Sequence, residues 1–369
     1  MAMRNGMNKK FWSIYRCLFQ SLPTIFSGDI MERVVEILRE ILEVPSPTGY
    51  TKDVLTHIER MLNEAGIKTY YTNKGALIAT NHPEPELMIA GHVDTLGAMV
   101  KGILPEGHLS FTSIGGLVLP TFEGEYCTII TRSGKRYRGT LLLKNPSAHV
   151  NKEVRKKERK EEDMYIRLDA EVEKKEDTEE LGIRPGDFIA FDPKFEYVNG
   201  FVKAHFLDDK ASVAAMIDLM LDLGPETLKN LPVAFFFSPY EEVGHGGSSG
   251  YPTSTKELLV VDMGVVGKGV VGRETAVSIA AKDATGPYDY EMSTKLIELA
   301  EKKNIPYVVD IFPYYGSDGS AALRAGWDFR VALIGPGVHA SHGMERTHIK
   351  GILATKELLK AYIEEKFGV

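Results

Sequence analysis

Between residues 233 and 366, continuous apolar runs alternate with helical stretches, and that rhythm confines this part of the chain to a sheet covered by helices. Val233–Phe237 has no polar residue, as befits a strand buried on both faces. Leu258–Val261, Val277–Ala280, Val308–Ile311 and Arg330–Ile334 read as further strands. Helices are expected over Lys210–Leu223, Tyr288–Lys303, Ser320–Ala325 and Ile349–Lys366. The same pattern holds upstream, with helices over Met31–Leu42 and Lys52–Ala65 and strands over Thr69–Tyr71, Ala76–Ala79 and Glu86–Ala90. Residues 101–195 break it. Short alternating runs such as Cys127–Thr131 and Tyr137–Leu143 sit between glycine turns there, which predicts a small all-β unit. The expected fold is α/β, a mixed sheet flanked by helices on both faces, in which residues 31–100 and 196–369 form one catalytic domain and residues 101–195 are an insertion.

A chain of 369 residues exceeds what a single core usually serves, in keeping with two units. The net charge of −7 offers no basic excess for displacing counterions from phosphates, which argues against nucleic acid. Residues 1–30 are expected to be a disordered or helical extension, or to precede the true start at Met31. The stretch Phe11–Phe26 is interrupted by Arg16 and Gln20 and is too short and polar to span a bilayer. Only two cysteines occur, Cys17 and Cys127, and neither belongs to a CxxC pair. That excludes a thiolate zinc site, points to a reducing cytoplasm, and leaves histidine and carboxylate as the available metal ligands.

Those ligand types recur in one layout, directly after apolar strands: His92 with Asp94, Asp208-Asp209, Glu241-Glu242, Asp262, and His342 with Glu345. In open α/β sheets, sites form outside the carboxyl ends of strands, so segments far apart in sequence converge. Each motif alone has an ordinary explanation; Asp208-Asp209, for instance, could simply cap the following helix. Together they fit a pair of divalent ions roughly 3.5–4 Å apart, which needs a bridging carboxylate and one histidine and one further carboxylate per ion. Asp208 is the expected bridge, with His92 and Asp262 completing one ion and Glu242 and His342 the other. Glu241 is left to act as general base on a water activated by the ions. Asp94 is expected to accept the free ring N–H of His92. The Gly267–Gly272 run matches dinucleotide-loop spacing, but the residues after Gly272 alternate like a strand, whereas that motif must open a helix. Gly244–Gly250 reads as a flexible loop beside the site.

Gly91-His92-Val93-Asp94-Thr95-Leu96-Gly97, Leu207-Asp208-Asp209-Lys210, Tyr240-Glu241-Glu242-Val243-Gly244, Asp262 and Gly316-Ser317-Asp318 resemble the tetrahedral aminopeptidases. These are glutamyl and deblocking enzymes, some of them named endoglucanases. The insert is similar too, in Ile114-Gly115-Gly116, Tyr137-Arg138-Gly139 and Leu181–Asp187. The resemblance covers residue 31 to the end. It implies a dinuclear zinc or cobalt exopeptidase acting on short peptides, with manganese also suited to such ligands. It further implies homo-oligomers, from dimers to dodecamers, built through the inserted domain, and no membrane or nucleic-acid partner. The chain departs from the family at Val338–Glu345, which offers two histidines, with His342 preferred over His339 as ligand, and at Lys144–His149 in the insert. Rival readings are a related amidohydrolase such as a deacylase, a glycoside hydrolase using two carboxylates without metal, and an inactive self-assembling protein.

Overall fold

Residues 28–369 are described in a computed structural model, and the expectations for residues 1–27, Cys17 included, lie outside the described residues. Helices α1 (Gly28–Glu43) and α2 (Lys52–Glu64) lead into β1 (Thr69–Tyr71), β2 (Leu77–Ala79) and β3 (Leu87–His92). Strands β4 (Gly97–Ile103), β5 (Leu109–Ile114), β6 (Tyr126–Ile130), β7 (Arg136–Leu143), β8 (Met164–Leu168) and β9 (Phe188–Phe191) then close into a barrel in the order β4-β5-β8-β7-β6-β9. Two short helices, α3 (Leu119–Phe122) and α4 (Lys175–Glu180), lie in its connections. Closure leaves no unpaired strand edge, and Phe111, Cys127, Ile129, Leu141, Ile166 and Ile189 fill the interior. The barrel begins at Gly97, ahead of residue 101. The chain passes from the His92–Asp94 segment straight into β4, with no polar linker to mark the join. A Cβ on Gly97 would come within 2.6 Å of Pro47, so the crossing point needs glycine.

The chain then returns through β10 (Glu196–Val198), β11 (Phe201–Ala204), α5 (Leu207–Asn230), β12 (Val233–Ser238), β13 (Glu257–Val261), β14 (Gly264–Val266) and β15 (Val277–Lys282). Helix α6 (Tyr290–Lys302), β16 (Tyr307–Ile311), α7 (Asp318–Arg324), β17 (Arg330–His339), β18 (Glu345–His348) and α8 (Ile349–Phe367) complete it. The large sheet runs β1-β2-β12-β3-β13-β17-β18-β11-β10, with β14 and β15 also on β17 and β16 beside β15. Its centre, β12-β3-β13-β17, is parallel, as are the pairs β14-β17 and β15-β16, and the remaining pairs are antiparallel.

Alternate residues of the central strands feed separate apolar clusters, as a period of two requires. Val233, Phe235 and Phe237 join the side packed by α1, α2, α5, α6 and α8. Ala234 and Phe236 join the other, with Tyr251, Ala322 of α7, Trp327 and Phe329. The fold is thus the mixed, helix-flanked sheet expected, carrying a closed barrel. One strand outruns expectation: β17 continues past Ile334 to His339. A Cβ on Gly335 would meet the Asp262 carbonyl at 1.9 Å and one on Gly337 the Arg273 carbonyl at 2.2 Å. These glycines admit neighbouring backbone at close range within an extended strand.

Candidate metal centre

Strands β12, β3 and β13 run parallel as neighbours, with Ser238 opposite His92 and Val260 opposite Ala90, so their carboxyl ends share one edge. His92 ends β3, Glu241-Glu242 follow β12 in a short 3-10 turn, and Asp262 follows β13. Asp208 and Asp209 are joined by a cis peptide bond and have non-helical backbone angles. The regular body of α5 starts after them, but Asp209 Oδ2 accepts the His92 amide at 3.2 Å and its Oδ1 has no hydrogen-bond partner, so Asp209 caps no helix amide. The N-cap explanation of the pair is therefore not what the structure shows.

Two groups of potential ligands converge: His92, Asp208 and Asp262, and Asp208, Glu242 and His342, the chosen atoms within each lying inside 4.8 Å of one another. Asp208 belongs to both. Its Oδ1 lies 3.2 Å from His92 Nε2 and its Oδ2 3.7 Å from His342 Nε2, which in turn is 3.6 Å from Glu242 Oε2. Glu241 Oε2 is 3.7 Å from His92 Nε2. His339 stands exposed at the end of β17, outside both groups.

Backbone carbonyls orient both rings. His92 Nδ1 donates to the Asp94 carbonyl at 2.9 Å and His342 Nδ1 to the Gly116 carbonyl at 3.0 Å. A carbonyl only accepts, so in the neutral ring the proton sits on Nδ1 and Nε2 presents its lone pair to the centre. This corrects the expectation for Asp94. Its carboxylate is 3.6 Å from the ring, too far for a hydrogen bond, and the main chain of Asp94 does that work. The carboxylate instead accepts the Glu241 and Glu242 amides at 3.1 and 3.2 Å and the Thr48 hydroxyl at 2.7 Å. It fixes the turn that carries the two glutamates.

Other supports have roles that the sequence did not assign, because they act through main chain or across the two units. Gly116 comes from the inserted barrel. Glu345 accepts the Asp208 amide on Oε2 and the His342 amide on Oε1, both at 2.9 Å. The Gly244–Gly250 run, expected to be flexible, is tied down. Asp318 Oδ1 accepts the Gly247 amide at 2.6 Å, and Lys74 donates to Ser248 Oγ at 2.9 Å and to the His245 carbonyl. Gly267–Gly272 lies in a loop between β14 and β15, with no helix after it.

The charge balance suits cations. Burial, reinforced by neighbouring carboxylates, pushes Asp209, Glu241, Glu242 and Glu345 well above the usual carboxylate range, Asp262 up to about 7 and Asp318 up to about 6. Burial opposes ionisation of Asp208 as well, yet His92 and His342 hold it below its ordinary value. So many crowded carboxyls can all ionise only beside added positive charge, and the imidazole and carboxylate donors are those divalent transition ions accept.

Comparisons with known proteins agree. A sequence profile of the M42 glutamyl aminopeptidase family matches residues 75–358. The Bacillus subtilis protein named "Putative aminopeptidase YhfE" is 47% identical over 340 residues, covering 90% of this chain and 98% of its own. Among solved structures, aminopeptidase APDkam598 from Desulfurococcus kamchatkensis superposes with a TM-score of 0.81 at 23% identity, covering 91% of this chain and 95% of its own. The Pyrococcus horikoshii TET1 peptidase, which can assemble into a tetrahedron or a large octahedral shell, gives 0.79 at 24% identity, covering 89% and 98%. Among the described residues, no helix is long and apolar enough to cross a membrane. The breadth of the family match and the near-complete overlap with the Bacillus relative decide against a glycoside hydrolase: this chain belongs to the M42 glutamyl aminopeptidase family, a family of peptide-bond hydrolases.

Proposed function

We propose that the protein is a two-ion aminopeptidase that removes N-terminal residues from short peptides. His92, Asp208 and Asp262 hold one divalent ion, and Asp208, Glu242 and His342 the other. The observation that carries this reading is Asp208, whose two carboxylate oxygens face two different histidines. Zinc, cobalt and manganese all suit such ligands. When bound, ions of this kind polarise a scissile carbonyl and lower the pKa of water. Glu241 is the general base. Its carboxylate lies beside His92 without belonging to either ligand group, placed to take a proton from the attacking water and return it to the leaving amine. Asp94 acts indirectly, by fixing the amides of the Glu241-Glu242 turn. Residues 101–195 form an oligomerisation unit within a homo-oligomer, supported by the assembly of the TET1 peptidase. The protein works in the cytoplasm, where the buried Cys127 stays a thiol.

The test is hydrolysis of an aminoacyl-anilide panel, alongside acylated analogues, by wild type and Glu241→Gln, with and without chelator and added zinc or cobalt. Wild-type activity should vanish on chelation and return with metal. Glu241→Gln should lose about 10²–10⁴-fold in kcat while still binding two ions per chain. Activity that survives chelation or the substitution would remove the mechanism. Preference for acylated substrates would favour a deacylase. Sedimentation of the same preparations reads the assembly, and a monomer at every concentration would end that part.

A further inference from the structure

The loop that carries His342 is built against backbone preference. Ala340 and His342 both have positive φ, at 58° and 63°, a region that non-glycine residues enter only when surroundings compel them. Most of its ties are local, the His342 amide to the buried Glu345 among them, or fall on exposed groups. The Gly343 amide bonds back to the Ala340 carbonyl, and the Val118 amide reaches the His342 carbonyl at a long 3.4 Å. One tie differs. His205, wholly buried, donates from Nδ1 to the Gly343 carbonyl at 2.6 Å.

The place of His205 in the chain gives that bond its meaning. It lies three residues before Asp208, on the segment joining β11 to α5, and its amide is held by the Pro193 carbonyl at 2.8 Å. Its ring stacks on Phe122 of the barrel at 4.4 Å, and its Nε2 faces Glu125 Oε1 at 3.7 Å, beyond direct hydrogen bonding. A single side chain therefore links the approach to Asp208, the loop of His342 and the wall of the barrel. Asp208 and His342 are the pair whose separation decides whether the second ligand group closes.

We propose that His205 is a positioning residue for the ion shared by Asp208, Glu242 and His342, acting through its Nδ1–H bond to the Gly343 carbonyl. The inference rests on the two-ion reading above. Without that donor, the loop relaxes from its two left-handed residues and His342 Nε2 withdraws from Asp208 and Glu242. The group of His92, Asp208 and Asp262 shares Asp208 with the loop's own group, but the Asp208 amide stays held by Glu345, so this group keeps its ion. Groups that orient ligands from outside typically change metal affinity by about 10–100-fold, which sets the expected size.

Three substitutions separate this role from packing. His205→Phe keeps an aromatic ring against Phe122 but removes the donor, and His205→Met repeats that loss with a flexible side chain. His205→Asn loses the ring but can place an amide N–H near the former Nδ1. Metal-free protein is titrated with cobalt(II), followed by calorimetry and visible absorption, with His342→Ala as reference for loss of the second site. Thermal melts of each metal-free variant report packing separately. Wild type should show two binding steps. His205→Phe and His205→Met should retain one and weaken by about 10–100-fold the step that His342→Ala abolishes, while His205→Asn stays within a few-fold of wild type. Two wild-type steps in both donor-less variants would overturn the inference and leave the two-ion reading standing. So would a His205→Asn defect as large as that of His205→Phe, since packing would then be the cause. A wild type that takes up no cobalt would overturn the two-ion reading, and the inference with it.

Discussion

Asp94 accepts two backbone amides with two carboxylate oxygens, and Thr48 donates a third bond to one of them. Asparagine has the same shape but one accepting oxygen, so in Asp94→Asn one amide of the Glu241-Glu242 turn would face an NH2 group. Hydrogen bonds to charged groups are worth about 1.5–3 kcal/mol, and an unmet buried donor costs a similar amount. Asp94→Asn should therefore lose unfolding free energy of that order, read from urea melts. It should lose kcat more than ion stoichiometry, because every ligand side chain is kept while the aim of both Glu241 and Glu242 shifts. A variant with wild-type stability and kcat would mean the turn holds its shape without Asp94. The misplaced expectation for Asp94 shows where residue-level reading ends. The type of residue two positions from His92 could be read, but which of its oxygens met the ring depended on the backbone path after β3. The convergence of His92, Asp208, Glu242, Asp262 and His342 was legible because the sequence sets ligand types directly after apolar strands. Gly116 and His205 were not, since one acts through a carbonyl and the other on a carbonyl.

At the start of α8, His348 is the N-cap, with Nδ1 accepting the Lys350 amide at 3.0 Å and the ring edge-on to Phe201. A nitrogen that accepts is unprotonated, so the cap needs the neutral ring. Burial, with Lys350 and Arg346 nearby, pushes the imidazole down to about 4. The folded pKa lies below the ordinary value near 6.5, so the unfolded chain binds the proton more readily between these limits. The stabilisation is complete above about pH 6.5 and is lost as pH falls towards 4. In His348→Asn, which keeps a capping acceptor without a titrating ring, the fall in melting temperature between pH 7 and pH 4.5 should be shallower than in wild type. Equal slopes would show that other groups govern acid stability. This cap escaped sequence reading because β18 ends where α8 begins and leaves no loop to signal a boundary. Elements with a plain period were legible: Val233–Phe237 gave a buried central strand, and Lys210–Leu223 matched the regular part of α5. The extension of β17 through Gly335-Pro336-Gly337 went unread, because its glycines serve close backbone contact within the strand.

At the scale of the molecule, the barrel and the large sheet share one continuous apolar cluster, in which Phe111, Phe122 and Ile129 of the barrel join Leu207, Val213 and Val338 of the sheet unit. Polar ties cross the same boundary, from His342 to Gly116 and from Arg136 to Asp53. The barrel is also entered and left through two separate crossings, so neither unit can open without stretching both. Units joined in this way should melt together even though their strand topologies are distinct. Ions bound only by the folded state add stability by mass action, about 2.7 kcal/mol at a hundredfold excess over Kd. Since part of the His342 support comes from the barrel, that gain should act on the whole cooperative unit. Calorimetry of metal-loaded protein should show one transition, and chelation should move it to lower temperature without dividing it. Two transitions, of which chelation shifts only one, would mean that the barrel folds independently and that the Gly116 contact transmits nothing between the units.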